Sequence, residues 1–112
     1  MRFLFSVIAN GKVQYFATSE EMQAIDTFND KIEAAGQRIL AVGIADPSTA
    51  VVFDNRDEAG LISNGPVVDS DDFVAGLWII NAESESVAHQ LANEASLACN
   101  RKIEVRQIFG AA

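Results

Sequence analysis

The strongest constraint on this chain is its first strand. Residues 2–9 are rich in β-branched and aromatic side chains and end at the turn pair Asn10-Gly11. In a strand, successive side chains point to opposite faces. Phe3, Phe5 and Val7 therefore share one face, and Leu4 and Ile8 share the other, with Ser6 as its polar exception. A strand that is apolar on both sides needs cover on both sides. The rest of the sequence must supply two layers, or supply one and find the second elsewhere.

Only two segments carry a helical pattern. The first opens at Thr18-Ser19-Glu20-Glu21, a capping box in which Thr18 accepts from the Glu21 backbone and Glu21 reaches back. Met22, Ile25, Phe28, Asn29, Ile32 and Ala35 then recur at spacings of three and four and form one stripe. Gly36 is positioned as a left-handed cap. The second helix has Ser84 as its cap and Glu85 in its first turn. Its stripe is Val87, Leu91, Ala95 and Ala98, and Asn100 closes it.

The remaining strands follow from alternation and from breakers. Residues 38–46 alternate Ile39, Ala41 and Gly43 against Leu40, Val42 and Ile44, and Pro47 stops them. A short strand over 49–54 and a return over 61–63 flank a polar loop at 55–60. Asn64-Gly65 turns the chain, and Pro66 pushes Gly65 toward extended geometry, which predicts an irregular loop. Residues 76–82 form a strong strand beginning at Gly76. Residues 102–109 form the last, with Ile103 and Val105 opposed to Glu104, Arg106 and Ile108.

The order is β-α-β, a small β-hairpin insertion, then β-α-β. That is the α+β, ferredoxin-like βαββαβ pattern in a single domain spanning residues 1–112. Two helices cover one sheet face only. The face of Leu4 and Ile8, with part of Ile79 or Ile80, is left bare, and a bare apolar face of that size marks an interface. The expected assembly is a homodimer with two sheets packed face to face.

Charge and cysteine usage narrow the partners. The net charge is −8, and the eight Lys and Arg are scattered from Arg2 to Arg106. No basic patch exists to track phosphates, so nucleic acid is excluded as a partner, and an anionic membrane surface with it. The single cysteine, Cys99, rules out an internal disulfide. The apolar run at 3–9 is too short for a membrane span, and Asn10-Gly11-Lys12 follows it without a small-residue cleavage pattern. A cytoplasmic protein is expected.

Residues 64–80 gather Asn64-Gly65-Pro66-Val67, an acidic loop, and Gly76-Leu77-Trp78-Ile79-Ile80, with the sole Trp of the chain. This stretch resembles the central signature of the YCII-related family in its DGPF branch. Three further segments match that branch in order. They are Ser19-Glu20-Glu21-Met22, the run from Gly43 to Ala50, and the terminal run from Ile103 to Phe109. The resemblance implies a dimeric α/β barrel with a cleft in each protomer. The YCII branch is associated with a His–Asp pair and dehalogenase-like chemistry. This chain has no His at the start of its first helix, so that pair does not transfer. Asn64 stands for the signature Asp, Val67 for its Phe, and Gln107 for a Pro near the end.

Several candidate chemistries fall away. His89, the only histidine, lies ~200° around the helix from both Val87 and Leu91, away from the core stripe. Glu85 is a surface partner for it. Ten residues, ~15 Å of rise, separate His89 from Cys99, so the two make no nucleophile–base pair. Cys99 is read as a small hydrophobe at a helix end. The Asp69-Ser70-Asp71-Asp72 loop lacks the Gly and Glu of a calcium loop, and no Cys/His cluster suggests zinc. With no Gly-rich phosphate loop either, no cofactor and no metal are expected.

What remains is a constellation. Strand alternation turns Arg106 away from Ile103 and Val105, into the space between the sheets, and Ser6 shares that face of its own strand. Asp72 and Asn64 are expected to close over the same region. On this reading Asp72 is the candidate catalytic base, and Arg106, Ser6, Asn64 and Trp78 bind a small anionic organic ligand. A structural pair of Arg106 with Asp72 or Glu104 is the plainer alternative. Two functions follow: a lyase or dehalogenase-like enzyme, or a non-catalytic ligand-binding or regulatory dimer. A carboxylate with a raised pKa in a closed pocket favours the first; an open groove with paired charges favours the second.

Overall fold

The computed structural model describes residues 1–13 and 16–110. Its elements are β1 (Arg2–Asn10), α1 (Ser19–Ala34), β2 (Arg38–Gly43), β3 (Val51–Asp54), β4 (Leu61–Asn64), β5 (Asp72–Asn81), α2 (Glu85–Cys99) and β6 (Lys102–Gln107). Four strands form one sheet in the order β2-β5-β1-β6, and β3 and β4 form a separate two-stranded sheet. Every pairing is antiparallel. The fold is α+β with two helices, compatible with the ferredoxin-like plan.

The helix ends are set by local chemistry. The Thr18 backbone N–H donates to Glu21 Oε1 at 2.9 Å, and the Glu21 N–H donates to Thr18 Oγ1 at 3.1 Å. At the other end, Gly36 takes φ +71°, its N–H donates to the Glu33 carbonyl, and the Gln37 N–H reaches the Ile32 carbonyl at 2.8 Å. This is a Schellman closure, which needs a residue tolerant of positive φ. Ser84 caps α2 through the Val87 N–H, and Asn100 ends it at φ 52°.

Both helices pack on one face of the four-stranded sheet. Phe3, Phe5, Trp78 and Ile80 from β1 and β5 meet Phe28 and Ile32 of α1 and Leu91, Ala92 and Ala95 of α2. Val7, Ile103, Val105 and Val87 flank them. The face assignment made from alternation holds for these positions. Phe5, Ile32 and Ile80 lose all solvent contact. The opposite face carries Leu40, Val42 and Val74, which stay exposed, and Leu4, Ile8, Leu77 and Ile79, which are half-buried.

Several boundaries differ from the expectation; β3, for one, begins at Val51 because residues Pro47–Thr49 form a 3₁₀ turn. β5 begins at Asp72 rather than Gly76, because Phe73 and Asp72 find ladder partners in Ala9 and Asn10. The early start requires a bulge: Val7 pairs with Gly76 and Ile8 with Val74, so Ala75 is the extra residue. β2 ends at Gly43, and the Ile44 N–H donates instead to the Ala75 carbonyl at 3.0 Å. β6 ends at Gln107, two residues early.

Gly43 pairs with Gly76 at this end of the sheet. A Cβ on Gly76 would meet the Val42 carbonyl oxygen at 2.8 Å, so only glycine permits that approach. A Cβ on Gly43 would meet only the Ala75 carbonyl oxygen, at 3.8 Å.

The β3–β4 hairpin stands off the main sheet. Phe53 pairs with Ile62 across it, and both side chains are exposed. The Gly65 N–H ties its base by donating to the Ala50 carbonyl at 2.7 Å. The radius of gyration is 15.9 Å, against about 13 Å for a compact chain of this length.

Candidate functional site

The sheet and the helices do not close over the glycine end. A cavity of about 370 Å³ opens there. Its floor is the helix-facing side of the sheet, with Val7 and Trp78 in the middle and Ala41 and Gly43 toward the β2 edge. Ile25 and Asn29 of α1 form one wall. Cys99 and Arg101, from the end of α2 and the turn into β6, form another. Small residues make the space: where Ala41, Gly43 and Ala75 stand, larger side chains would fill it.

Trp78 is held rigidly in this floor. Its ring meets Phe28 edge-on, with centroids 5.3 Å apart and planes at 75°. Its Nε1–H donates to Asn29 Oδ1 at 2.7 Å. An indole nitrogen only donates, so the oxygen of the Asn29 carboxamide must face it. The Asn29 amide hydrogens then have no protein acceptor among the described residues.

One ion pair sits at the wall. Arg101 Nη1 lies 3.4 Å from Glu21 Oε1 and donates to the Cys99 carbonyl at 2.7 Å. The side chains are 7% and 13% exposed, which makes this the most sheltered ion pair among the described residues. The Thr18 backbone N–H, the Asn100 side chain and Arg101 hold the Glu21 carboxyl below the ordinary glutamate value. Burial pushes the Cys99 thiol up, so the thiol stays neutral. A carboxylate held ionised by several donors is a weak base, and a neutral thiol is a weak nucleophile.

A second hollow of about 350 Å³ lies near the acidic loop, lined by Asp46, Asp69, Ser70 and Asp72 with Pro47, Pro66 and Phe73. Two of its acids have local tasks. Asp46 accepts from the Ser48 N–H at 2.9 Å, and the Ser48 side chain together with that N–H keeps its carboxyl below the usual range. Asp72 Oδ1 accepts from Asn10 Nδ2 at 3.0 Å, and Oδ2 lies 3.7 Å from Lys102 Nζ. Among the described residues, no group of three or more His, Cys, Asp or Glu could hold a metal ion.

The predicted constellation does not assemble within one chain. Arg106 does sit on the face turned away from the helices, opposite Leu4. Its side chain is 72% exposed, however, and its Nε donates to Glu104 Oε1 at 2.8 Å. Asp72 pairs opposite Asn10. Leu4 and Asn10 lie six residue steps apart along the strand, about 20 Å. The cause is strand direction: β5 and β6 both run antiparallel to β1, so the start of β5 and the end of β6 lie at opposite ends of it. Ser6 lies between Leu77 and Glu104 on the open face, and Asn64 closes the hairpin opposite Val51. Of the proposed ligand-binding residues, Trp78 alone lines the larger cavity. His89 is exposed, with Nε2 3.6 Å from Glu85.

Asn29 and Arg101 escaped the sequence reading as site residues. Asn29 left a signal, being the one polar member of an apolar helix stripe. Arg101 left none beyond its place after the helix cap. A comparison of the chain with protein-family models and with curated proteins finds no match.

Proposed function

We propose that this protein is a homodimer that binds a small molecule in each protomer and acts through binding, not catalysis. The observation that carries this reading is the cavity between α1 and the sheet. It is open and largely apolar, and the one charged side chain among its described lining residues, Arg101, faces Glu21 behind the wall. A lyase or dehalogenase-like enzyme would need a base or nucleophile within reach of the ligand. Among the described residues the lining offers a neutral thiol, a carboxamide and a paired guanidinium instead.

The dimer rests on the uncovered sheet face. Leu4, Ile8, Leu40, Val42, Leu77 and Ile79 are turned away from both helices, and a second copy would cover them with the same surface. The strand order β2-β5-β1-β6 is the one a ferredoxin-like unit of a dimeric α/β barrel would have. It supports the YCII-related, DGPF-branch reading alongside the motifs already described. The free thiol of Cys99 fits a reducing, cytoplasmic setting.

The test uses the single tryptophan. Its indole N–H gives one resonance in a ¹⁵N-labelled protein, and a fragment library is titrated while that resonance is followed. Saturable shifts without turnover of the bound fragments are expected. Chemical conversion of a bound fragment, abolished in a Cys99→Ala or Glu21→Gln variant, would replace binding by catalysis.

A further inference from the structure

The lining of the cavity specifies its occupant more closely, and this step rests on reading the cavity as a binding site. From the polarity of the lining we infer that the ligand is a neutral ring compound, mostly hydrocarbon, bearing one carbonyl oxygen that accepts from the Asn29 amide.

Three observations converge. The first is the orientation of Asn29. Asn29 lines the cavity and its oxygen accepts from the Trp78 Nε1–H at 2.7 Å, which leaves its NH₂ group as the donor the amide has to offer. A ligand that left this donor without an acceptor would desolvate it for nothing, and a ligand with a carbonyl satisfies it. The second is charge. The Arg101 guanidinium already faces the Glu21 carboxylate within a sheltered pair, and the chain carries a net charge of −8. An anion would therefore lose its hydration without gaining a counter-charge, and the surrounding field would repel it. The third is shape. Trp78 presents a fixed indole, Val7 and Ile25 are apolar, and Ala41 and Gly43 leave the floor low. A flat ring can lie there against backbone and indole. The cavity volume of about 370 Å³ is at the small end for ligand sites and admits one or two fused rings.

The discriminating experiment titrates three probes of nearly equal shape: 1-tetralone, tetralin and 1-naphthoate. Binding is read from the Trp78 indole resonance. Tetralone should bind about tenfold more tightly than either of the others, the worth of one satisfied hydrogen bond. Asn29→Asp keeps the acceptor for Trp78 but replaces the donor by a second oxygen. It should remove the tetralone advantage, so that tetralone binds no more tightly than tetralin. Gly43→Leu fills the floor where a Cβ meets only one atom, and it should weaken both neutral probes with the melting temperature retained. Gly43→Ala, a smaller intrusion, repeats the measurement if the leucine variant does not fold. Equal binding of tetralone and tetralin, or tightest binding of naphthoate, overturns the carbonyl assignment and leaves the cavity a binding site. Binding of the probes that is indifferent to Gly43, or no binding at all, overturns both.

Discussion

The Trp78 indole nitrogen and the Asn29 carboxamide oxygen lie 2.7 Å apart, a bond that ties the centre of β5 to the middle of α1. The donor is carried by a buried side chain and the acceptor by a half-buried one. The bond therefore fixes both the ring that floors the cavity and the helix that walls it.

Removing the acceptor tests that bond. Asn29→Ala leaves the indole N–H unpaired in a largely apolar setting, and should lower stability by about 1–3 kcal/mol. Asn29→Asp should cost clearly less, since an oxygen remains. Urea unfolding followed by circular dichroism measures both. Equal losses for the two variants would show that the bond matters little.

Phe5 is fully buried at the centre of the core between β1 and the helices. Phe5→Ala should cost about 3–5 kcal/mol, combining lost transfer energy with the cavity left behind. A loss below about 1 kcal/mol in chemical denaturation would contradict its place in the core.

Glu21 gives the chain an acid-sensitive joint. Its carboxyl is held below the ordinary value of 4.5 by the Thr18 backbone, the Asn100 side chain and Arg101. A depressed pKa means the unfolded state binds the proton first as pH falls. The stability Glu21 adds is thus complete above pH 4.5 and is lost as pH drops through its lower folded value. Gln at this position keeps the capping box. Melting temperatures of wild type and Glu21→Gln, measured from pH 7 to pH 3, should differ at neutral pH and converge in acid. Parallel curves would show that the charge of Glu21 adds nothing.

The uncovered face predicts assembly. Light scattering at micromolar concentration should give a dimer mass, with a total buried area of about 1,200 Å² or more. Ile79 lies on that face beside Leu4. Ile79→Glu should yield a folded monomer, because a carboxylate cannot be buried there unpaired. A monomeric wild type would remove the dimer from the account.

Much of the fold was legible because its signals are local. The Thr18–Glu21 box, Gly36, Ser84 and Asn100 fixed both helices, and alternation assigned Phe3, Phe5, Ile103 and Val105 to one face. The bulge at Ala75 was not legible, since it depends on which residues β1 offers opposite β5. The candidate site failed for a related reason. Arg106 was given the correct face, but a face assignment carries no position along the strand. Antiparallel pairing put Arg106 and Asp72 at opposite ends of β1. The cavity itself comes from what is missing, the side chains absent at Gly43 and small at Ala41 and Ala75. Such an absence acquires meaning only when three elements meet around it.

The detached β3–β4 ladder divides the molecule into regions that open at different free energies. A two-stranded hairpin is marginal by itself in water, and this one shares no strand with the main sheet. Its amide hydrogens on Val51 to Asp54 and Leu61 to Asn64 should exchange with solvent long before those of β1, which is flanked on both sides. Local melting there would leave the core and the cavity intact. The hairpin can thus order and disorder on its own clock, while the sheet that bears it keeps time with the whole chain.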